Sequence, residues 1–202
     1  MNARSDLIIY GCGGHARSVI DILLSGDRKF AIKIVDENAL ENEMIYGFPI
    51  LKECSTLKVP YFIAIGNNYS RAKVAVDKDI SFLVSVISNL SYIGRRASIS
   101  QGVFVGNYVH IGPESFIGAN TIINNGAIVD HEVEIGSYCH IGPNATVSGR
   151  SKVGDFVFLG VGATIIDSVA VCSGVTIGAG AIVTKNIDSP GTYVGCPARK
   201  IK

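Results

Sequence analysis

The spacing of apolar residues changes character once along the chain. Up to about residue 85, apolar runs alternate with amphipathic stretches. "LIIY" (7–10) reads as a buried strand, and "RSVIDILL" (17–24) sets Val19, Ile20, Leu23 and Leu24 on one helical face. "AIKIVD" (31–36) is a second strand ending at Asp36, and "YFIAIGNN" (61–68) is a third, ending in Gly66-Asn67-Asn68. "SRAKVAVDK" (70–78) predicts a second helix, and "FLVSVI" (82–87) leads out. Strands alternating with helices make a small parallel-sheet α/β unit.

From Ile87 the period is six. Every sixth position from Ile87 to Val183, seventeen in all, is Ile, Val or Leu. The next residue is often glycine, as at Gly94, Gly112 and Gly136, and the fourth is small or β-branched, as at Ala97, Val103 and Val109. Neither the strand period of 2.0 nor the helical 3.6 accounts for this; a solenoid does. Each hexapeptide is one short strand and a corner, with the aliphatic pointing into a narrow prism. Three hexapeptides close a triangular coil, so residues 18 apart stack. The pattern resembles the left-handed parallel β-helix of acyltransferases. The expected fold is α/β plus all-β: a small Rossmann-like domain over residues 1–85, then a left-handed parallel β-helix of hexapeptide repeats over 86–202 with a C-terminal tail.

Composition agrees with many short strands and tight corners: 23 glycines, no tryptophan, 48% apolar and 17% charged residues. A net charge of +1 offers no basic surplus for nucleic acid. No apolar run is long enough for a signal peptide or a membrane span, so a cytoplasmic protein without a membrane partner is expected. The five cysteines (Cys12, Cys54, Cys139, Cys172, Cys196) form no C-x-x-C pair and read as reduced, mostly buried thiols.

Two segments offer chemistry. The first is "YGCGGHA" (10–16), which fits G-x-G-x-x-A between a strand and a helix, with Asp36 twenty residues past Ala16. NAD is the literal reading, and an NAD-sensing module is its regulatory variant. A dinucleotide fold, however, needs two mononucleotide halves, and only one fits before the solenoid. The loop N–H groups and the helix start at Ala16 suit the diphosphate of a mononucleotide. A tight turn without a ligand is the plainer alternative.

The second is "NNGAIVDHEVEIGSYCHIGPNATVSG" (124–149), where the aliphatic repeat (Val129, Ile135, Ile141) runs straight through a cluster of Asp130, His131, Glu132, Glu134 and His140. His131 is a general-base candidate, since imidazole titrates near neutrality and a carboxylate beside it raises its basicity and fixes its tautomer. Backbone N–H groups at the glycine corners can hold a developing oxyanion. A zinc site on His110, His131 and His140 is the competitor. Their separations, 21 and 9, are not multiples of 18, so they do not stack within a chain; ligands from a neighbouring subunit would have to complete such a site, and no metal is expected.

The layout resembles the nucleotide-sugar acetyltransferases of bacterial glycan pathways, through "IYGCGGHA", "FIAIGNN", "VDHEVEIGSYCHI", "FLGVGA", "IGAGAIVTKNI" and "YVGCPAR". Within them it is most similar to the bacillosamine-pathway enzymes, which acetylate the 4-amino group of a UDP-4-amino-4,6-dideoxy sugar. Sialic acid O-acetyltransferases and GDP-perosamine-type N-acetyltransferases are related. The resemblance implies acetyl-CoA as cosubstrate and a homotrimer with active sites between subunits. It implies that His131 is the base and Glu132 raises its basicity. His140 lies by the thioester, the Gly149 N–H holds the acetyl carbonyl, and Val161 and Ala179 line the acetyl-CoA groove. Relatives can carry glycine at the position of Ala179. Lys185 reads either as a phosphate contact or as a solvated lysine. Gly13, Gly14 and His15 contact the diphosphate and sugar, Asp36 the nucleoside, and Gly66 the base or sugar. A non-enzymatic solenoid scaffold is the alternative from another class.

Overall fold

The computed structural model describes residues 5–26, 30–54, 59–78, 80 and 83–202. The first domain runs β1 (Ser5–Tyr10), α1 (Gly14–Ser25), β2 (Phe30–Val35), β3 (Met44–Ile45), β4 (Phe48–Leu51), β5 (Tyr61–Ile63) and α2 (Asn68–Asp77). Its sheet has the order β3-β4-β2-β1-β5, with β1 parallel to β2 and β5, and β4 parallel to β2. The sequence pattern shows three of these strands and misses the antiparallel β3–β4 hairpin. Its turn is Tyr46-Gly47, both with positive φ (49° and 82°). A tight hairpin turn needs that conformation, and a tyrosine in place of the usual Asn or Asp hides it. Helix α1 begins at Gly14, two residues before Ala16, and Ile22 is buried on its inner face while Leu24 is 47% exposed. Of "FLVSVI", Phe82 lies outside the described residues, and Leu83 pairs with Tyr61 at the sheet edge.

The solenoid starts at Val86–Ile87 and forms three sheets. Face one carries Phe104–Val105, Ile122–Ile123, His140–Ile141 and Phe158–Leu159. Face two carries His110–Ile111, Ile128–Val129 and Thr146–Val147. Face three carries Phe116–Ile117, Glu134–Ile135 and Lys152–Val153. Pairing is parallel with a constant offset of 18, as in Ile122↔His140 and Phe116↔Glu134. The inward aliphatics from Val105 to Val183 form one continuous core. The expectation fails at the first rung: Ile87 is 41% exposed, because no coil lies above it to close the prism. Corner residues such as Arg96, Glu132 and Phe156 hold φ near +60° (63°, 56° and 59°). At other corners coils touch backbone to backbone: a Cβ on Gly118 would lie 2.5 Å from the carbonyl carbon of Gly136.

The expected C-terminal tail is a final rung. Gly191–Val194 extends face one beyond Val175–Ile177, and Arg199–Lys200 pairs antiparallel to it. The N–H of Ile182 donates to Gly195, and that of Ala198 donates to Ile182, which covers the last strand of face two.

The first domain rests on the upper half of face one. Phe104 and Ile122, outward on their strands, are buried in one cluster with Leu7, Ile9, Val19 and Ile20. Burying such side chains contributes about 1.5–3 kcal/mol each. Below that apolar patch the seam is polar. Arg71 is 1% exposed, and its guanidinium donates to the carbonyl oxygens of Ile65, Gly66 and Asn68 in the first domain and of Asn120 and Cys139 in the solenoid. Burial pulls its pKa down to about 10. The Asn68 amide also donates to the carbonyls of Phe156 and Val157. His15 packs edge-on against Phe104, with ring centres 4.7 Å apart, and lies 6.5 Å from the ring of His140. Burial drives the pKa of His15 down to about 3 and lowers that of His140.

Two predictions follow from the packing. Gly118→Ala should cost about 1–3 kcal/mol of stability, because the neighbouring coil offers backbone and no flexible side chain to give way; a urea midpoint unchanged from the native one contradicts the coil contact. Both seam histidines have depressed folded pKa values, so the unfolded chain takes up protons first as pH falls. Stability should therefore decline as pH falls below about 6.5, by up to about 1.4 kcal/mol per pH unit for His15 down to about pH 3, with His140 adding a loss of the same sign. Denaturant unfolding at pH 7, 6 and 5 checks it, and His15→Gln should flatten the slope.

Candidate active site

The glycine loop leaves β1 at Tyr10 and enters α1 at Gly14. Gly11 has φ +104°, and a Cβ there would lie 3.0 Å from the carbonyl oxygen of Ala64, so the turn needs glycine. At Gly13 and Gly14 a Cβ would meet nothing within 4 Å. They border a cavity of about 560 Å³ whose lining includes Gly13, Gly14, His15, Asp36 and Gly66. The structure therefore gathers all five residues that the sequence assigns to nucleotide-sugar binding. Helix α1 has no side-chain cap and no acid in its first turn, which leaves its N-terminal N–H groups for an anion. The Nε2 of His15 is buried without a hydrogen-bond partner.

Asp36 is already engaged. Its carboxylate accepts the N–H of Cys12 at 3.0 Å and that of Asn38 at 2.9 Å. Burial would raise its pKa, but the bonds from Asn38 and Cys12 outweigh burial and hold it below the usual carboxylate range. Burial, then the carboxylate beside it, pushes the Cys12 thiol up to about 11. Asp36 thus fastens the loop to the end of β2, a role the sequence reading did not give it. Lys73 on α2 and Lys78 just past its end also line this cavity, paired with Asp77 and Glu37. Their helical spacing marks only a solvated face, so nothing in the sequence singles them out.

His140 sits on face one where the first domain meets the solenoid, half-buried. Its Nδ1 donates to the carbonyl of Gly66 at 3.1 Å, which leaves Nε2 to accept from the Asn124 amide at 3.1 Å. A second cavity, about 360 Å³, opens beside it, lined by Gly66, Asn67, Asn68, Tyr69, His140, Phe156, Phe158, Gly174 and Thr176. Gly66 borders both cavities.

His131 occupies the corner between faces two and three. Its Nδ1 is 2.9 Å from a Glu132 carboxylate oxygen, and among the described residues no group bonds its Nε2. Asp130 accepts the His131 backbone N–H at 2.7 Å. One coil below, the ring lies on Gly149, where a Cβ would be 2.7 Å from Cε1 and Nε2. Beneath that, Asp167 forms a two-point ion pair with Arg150, both contacts 2.7 Å. Val161 and Ala179 stack on the corner between faces one and two, both exposed, with the N–H of Gly180 donating to Val161. Lys185 is exposed below the His131 corner.

The expected site residues thus fall into three groups: the glycine-loop cavity, with His140 in the adjoining cavity that shares Gly66, the Val161–Ala179 corner, and the His131–Glu132–Gly149 corner. The last lies across the prism from face one, so a single chain does not unite His131 with the cavity. Among the described residues, no three His, Cys, Asp or Glu side chains gather as a metal site requires, and no helix is long and apolar enough to cross a membrane. His110 stacks on Tyr92, with ring centres 5.0 Å apart.

Comparison with known proteins identifies both halves. Residues 6–77 match the PglD N-terminal domain, 114–149 the bacterial transferase hexapeptide (six repeats) and 151–185 the hexapeptide repeat of succinyl-transferase. PerB from Caulobacter crescentus, solved in complex with CoA and GDP-perosamine, is 32% identical; the match covers 99% of each chain with a TM-score of 0.85. The acetyltransferase domain of PglB from Neisseria gonorrhoeae, solved with acetyl coenzyme A, is 27% identical over 98% of this chain and all of that one, with a TM-score of 0.91. WeeI from Acinetobacter baumannii, 23% identical with a TM-score of 0.86 over 98% of this chain and all of that one, shares the fold. An uncharacterized protein of Acanthamoeba polyphaga mimivirus is 34% identical over 103 residues, which is 49% of this chain; the chain spans about a fifth (21%) of that curated relative. With the α/β domain, the left-handed β-helix and near-complete coverage of PerB, the chain belongs to the nucleotide-sugar acetyltransferase family.

Proposed function

We propose that the protein transfers the acetyl group of acetyl-CoA to the 4-amino group of a UDP-linked 4-amino-4,6-dideoxy sugar. The carrying observation is the His131 corner: a ring held at Nδ1 by Glu132, with Nε2 open and the unengaged N–H of Gly149 directly beneath it. The amine attacks the thioester carbonyl. A C–N bond forms and the C–S bond breaks. His131 Nε2 takes the amine proton, and the CoA thiolate leaves. Glu132 favours the charged ring that results. The Gly149 N–H meets the oxygen on which negative charge develops. Acetyl-CoA runs along Val161 and Ala179 with its thioester towards His140. The diphosphate lies on Gly13, Gly14 and the start of α1, and the unpaired Nε2 of His15 finds its partner in the sugar. Asp36 acts through the loop, with a nucleoside contact left to its remaining lone pairs.

Because the His131 corner faces away from the cavity of its own chain, each site combines one subunit's cavity with a neighbour's base. The homotrimer supplies that arrangement. A GDP-linked, perosamine-type sugar is the second reading, favoured by the full-length similarity to PerB. The cavity lining distinguishes neither nucleotide.

His131→Ala should lower turnover by at least about 100-fold with the assembly intact; near-normal thiol release from acetyl-CoA rejects the base assignment. Gly149→Ala forces the ring to shift and should cost about 10- to 100-fold in kcat. The deciding assay measures thiol release with a UDP-4-amino-4,6-dideoxy sugar, a GDP-4-amino sugar and free sialic acid in parallel. Turnover with the UDP amine supports the first reading. Turnover with the GDP amine alone moves the specificity to the second, and turnover with sialic acid alone replaces N- with O-acetylation.

A further inference from the structure

We propose that Arg71 is a positioning residue for His140, holding it in one seat and one tautomer from across the domain seam. A buried guanidinium normally meets a carboxylate. Here it faces only carbonyl oxygens, and two of them bracket His140. One is the carbonyl of Cys139, 3.0 Å from Nη2 and one residue before the histidine. The other is the carbonyl of Gly66, 3.2 Å from Nη1, which also accepts His140 Nδ1–H at 3.1 Å. Arg71 therefore fixes both the backbone that carries the ring and the acceptor that the ring binds. A carbonyl can only accept, so the proton of His140 belongs on Nδ1, and Nε2 presents a lone pair that Asn124 meets.

The second solenoid contact, Arg71 Nε to the carbonyl of Asn120 at 2.7 Å, lies one coil above. Asn68 adds contacts at Phe156 and Val157, one coil below. One turn of α2 thus registers three successive coils. The Gly66 carbonyl sits in the wall shared by both cavities, so the geometry that seats His140 also fixes the back of the nucleotide pocket.

The catalytic part of this inference rests on the acetyl-transfer reading; the placement part does not. The test uses the full-length protein with ¹⁵N-labelled histidine, the His140 ring signal being assigned by its loss in His140→Gln. The native ring should show protonated Nδ1 and unprotonated Nε2. In Arg71→Met, folded by circular dichroism and of native size, that tautomer should be lost and kcat should fall at least about 10-fold. Arg71→Lys, which keeps the charge and reaches part of the carbonyl set, should recover part of both. A native ring signal in folded Arg71→Met, or an unchanged kcat, overturns the proposal. If Arg71→Met does not fold, Arg71→Lys decides: a ring signal and kcat both native overturn it. If the native protein acetylates none of the tested sugars, the functional reading fails, and the ring signal still decides the role of Arg71.

Discussion

Every functional position in this molecule depends on the 18-residue register of the coils. The prism admits on each face one large aliphatic and one small or β-branched residue per coil, as Val129 with Ala127 and Ile135 with Val133, and the parallel ladder hydrogen-bonds each rung to the next. A residue inserted within a rung would therefore throw its aliphatic out of the column shared with the coils on either side. That constraint converts sequence distance into spatial columns. It sets the His131 ring on Gly149 and Gly149 above Asp167. It stacks Ala179 under Val161 and seats His140 between Ile122 and Phe158. The chemistry is drawn on this lattice, and the glycine at 149 is one of the places where the lattice would otherwise collide with it.

The first domain uses the lattice differently. Apolar groups hold its upper part, through Phe104 and Ile122, and a network of charge-assisted bonds holds its lower part, through Arg71 and Asn68. The two mechanisms have different directional demands. Apolar burial tolerates sliding, whereas five donors aimed at five carbonyls do not. The cavity therefore meets the solenoid at a defined height, with Gly66 against His140.

Much of this was legible in the chain, and the gaps have physical causes. The six-residue period announces the solenoid because inward aliphatics are dictated by the prism itself. The glycine loop and the His131-Glu132 pair are legible because their chemistry is local: neighbours in sequence are neighbours in space. What stayed hidden depends on a second surface. Arg71 lies in a stretch that reads only as a second helix, and its five acceptors come from segments up to 68 residues away. Phe104 and Ile122 occupy outward positions that the repeat leaves to solvent, and only the docked domain makes them core. Leu24 and Ile22 exchange roles because the helix is buried against both its own sheet and the first solenoid rung. The Tyr46-Gly47 hairpin escapes because a tyrosine stands where the turn favours a short polar residue.

The capped last rung carries a consequence for the protein's behaviour in a crowded cell. A parallel solenoid ends in two rows of unpaired backbone groups, each a template for another rung, so the fold is by nature open to end-to-end polymerisation. Here the first domain packs on face one beside the first rungs, through Val86 and Phe104, and leaves Ile87 at the start of the prism 41% exposed. At the other end, the returning strand Arg199–Lys200 runs antiparallel to its neighbour and so breaks the repeat. Pro190 and Pro197 remove donors around that last rung, and Lys200 and Lys202 add charge. The few residues after the last hexapeptide thus keep a self-templating architecture finite, and a chain cut short before Gly191 would expose an edge on which fibres could grow.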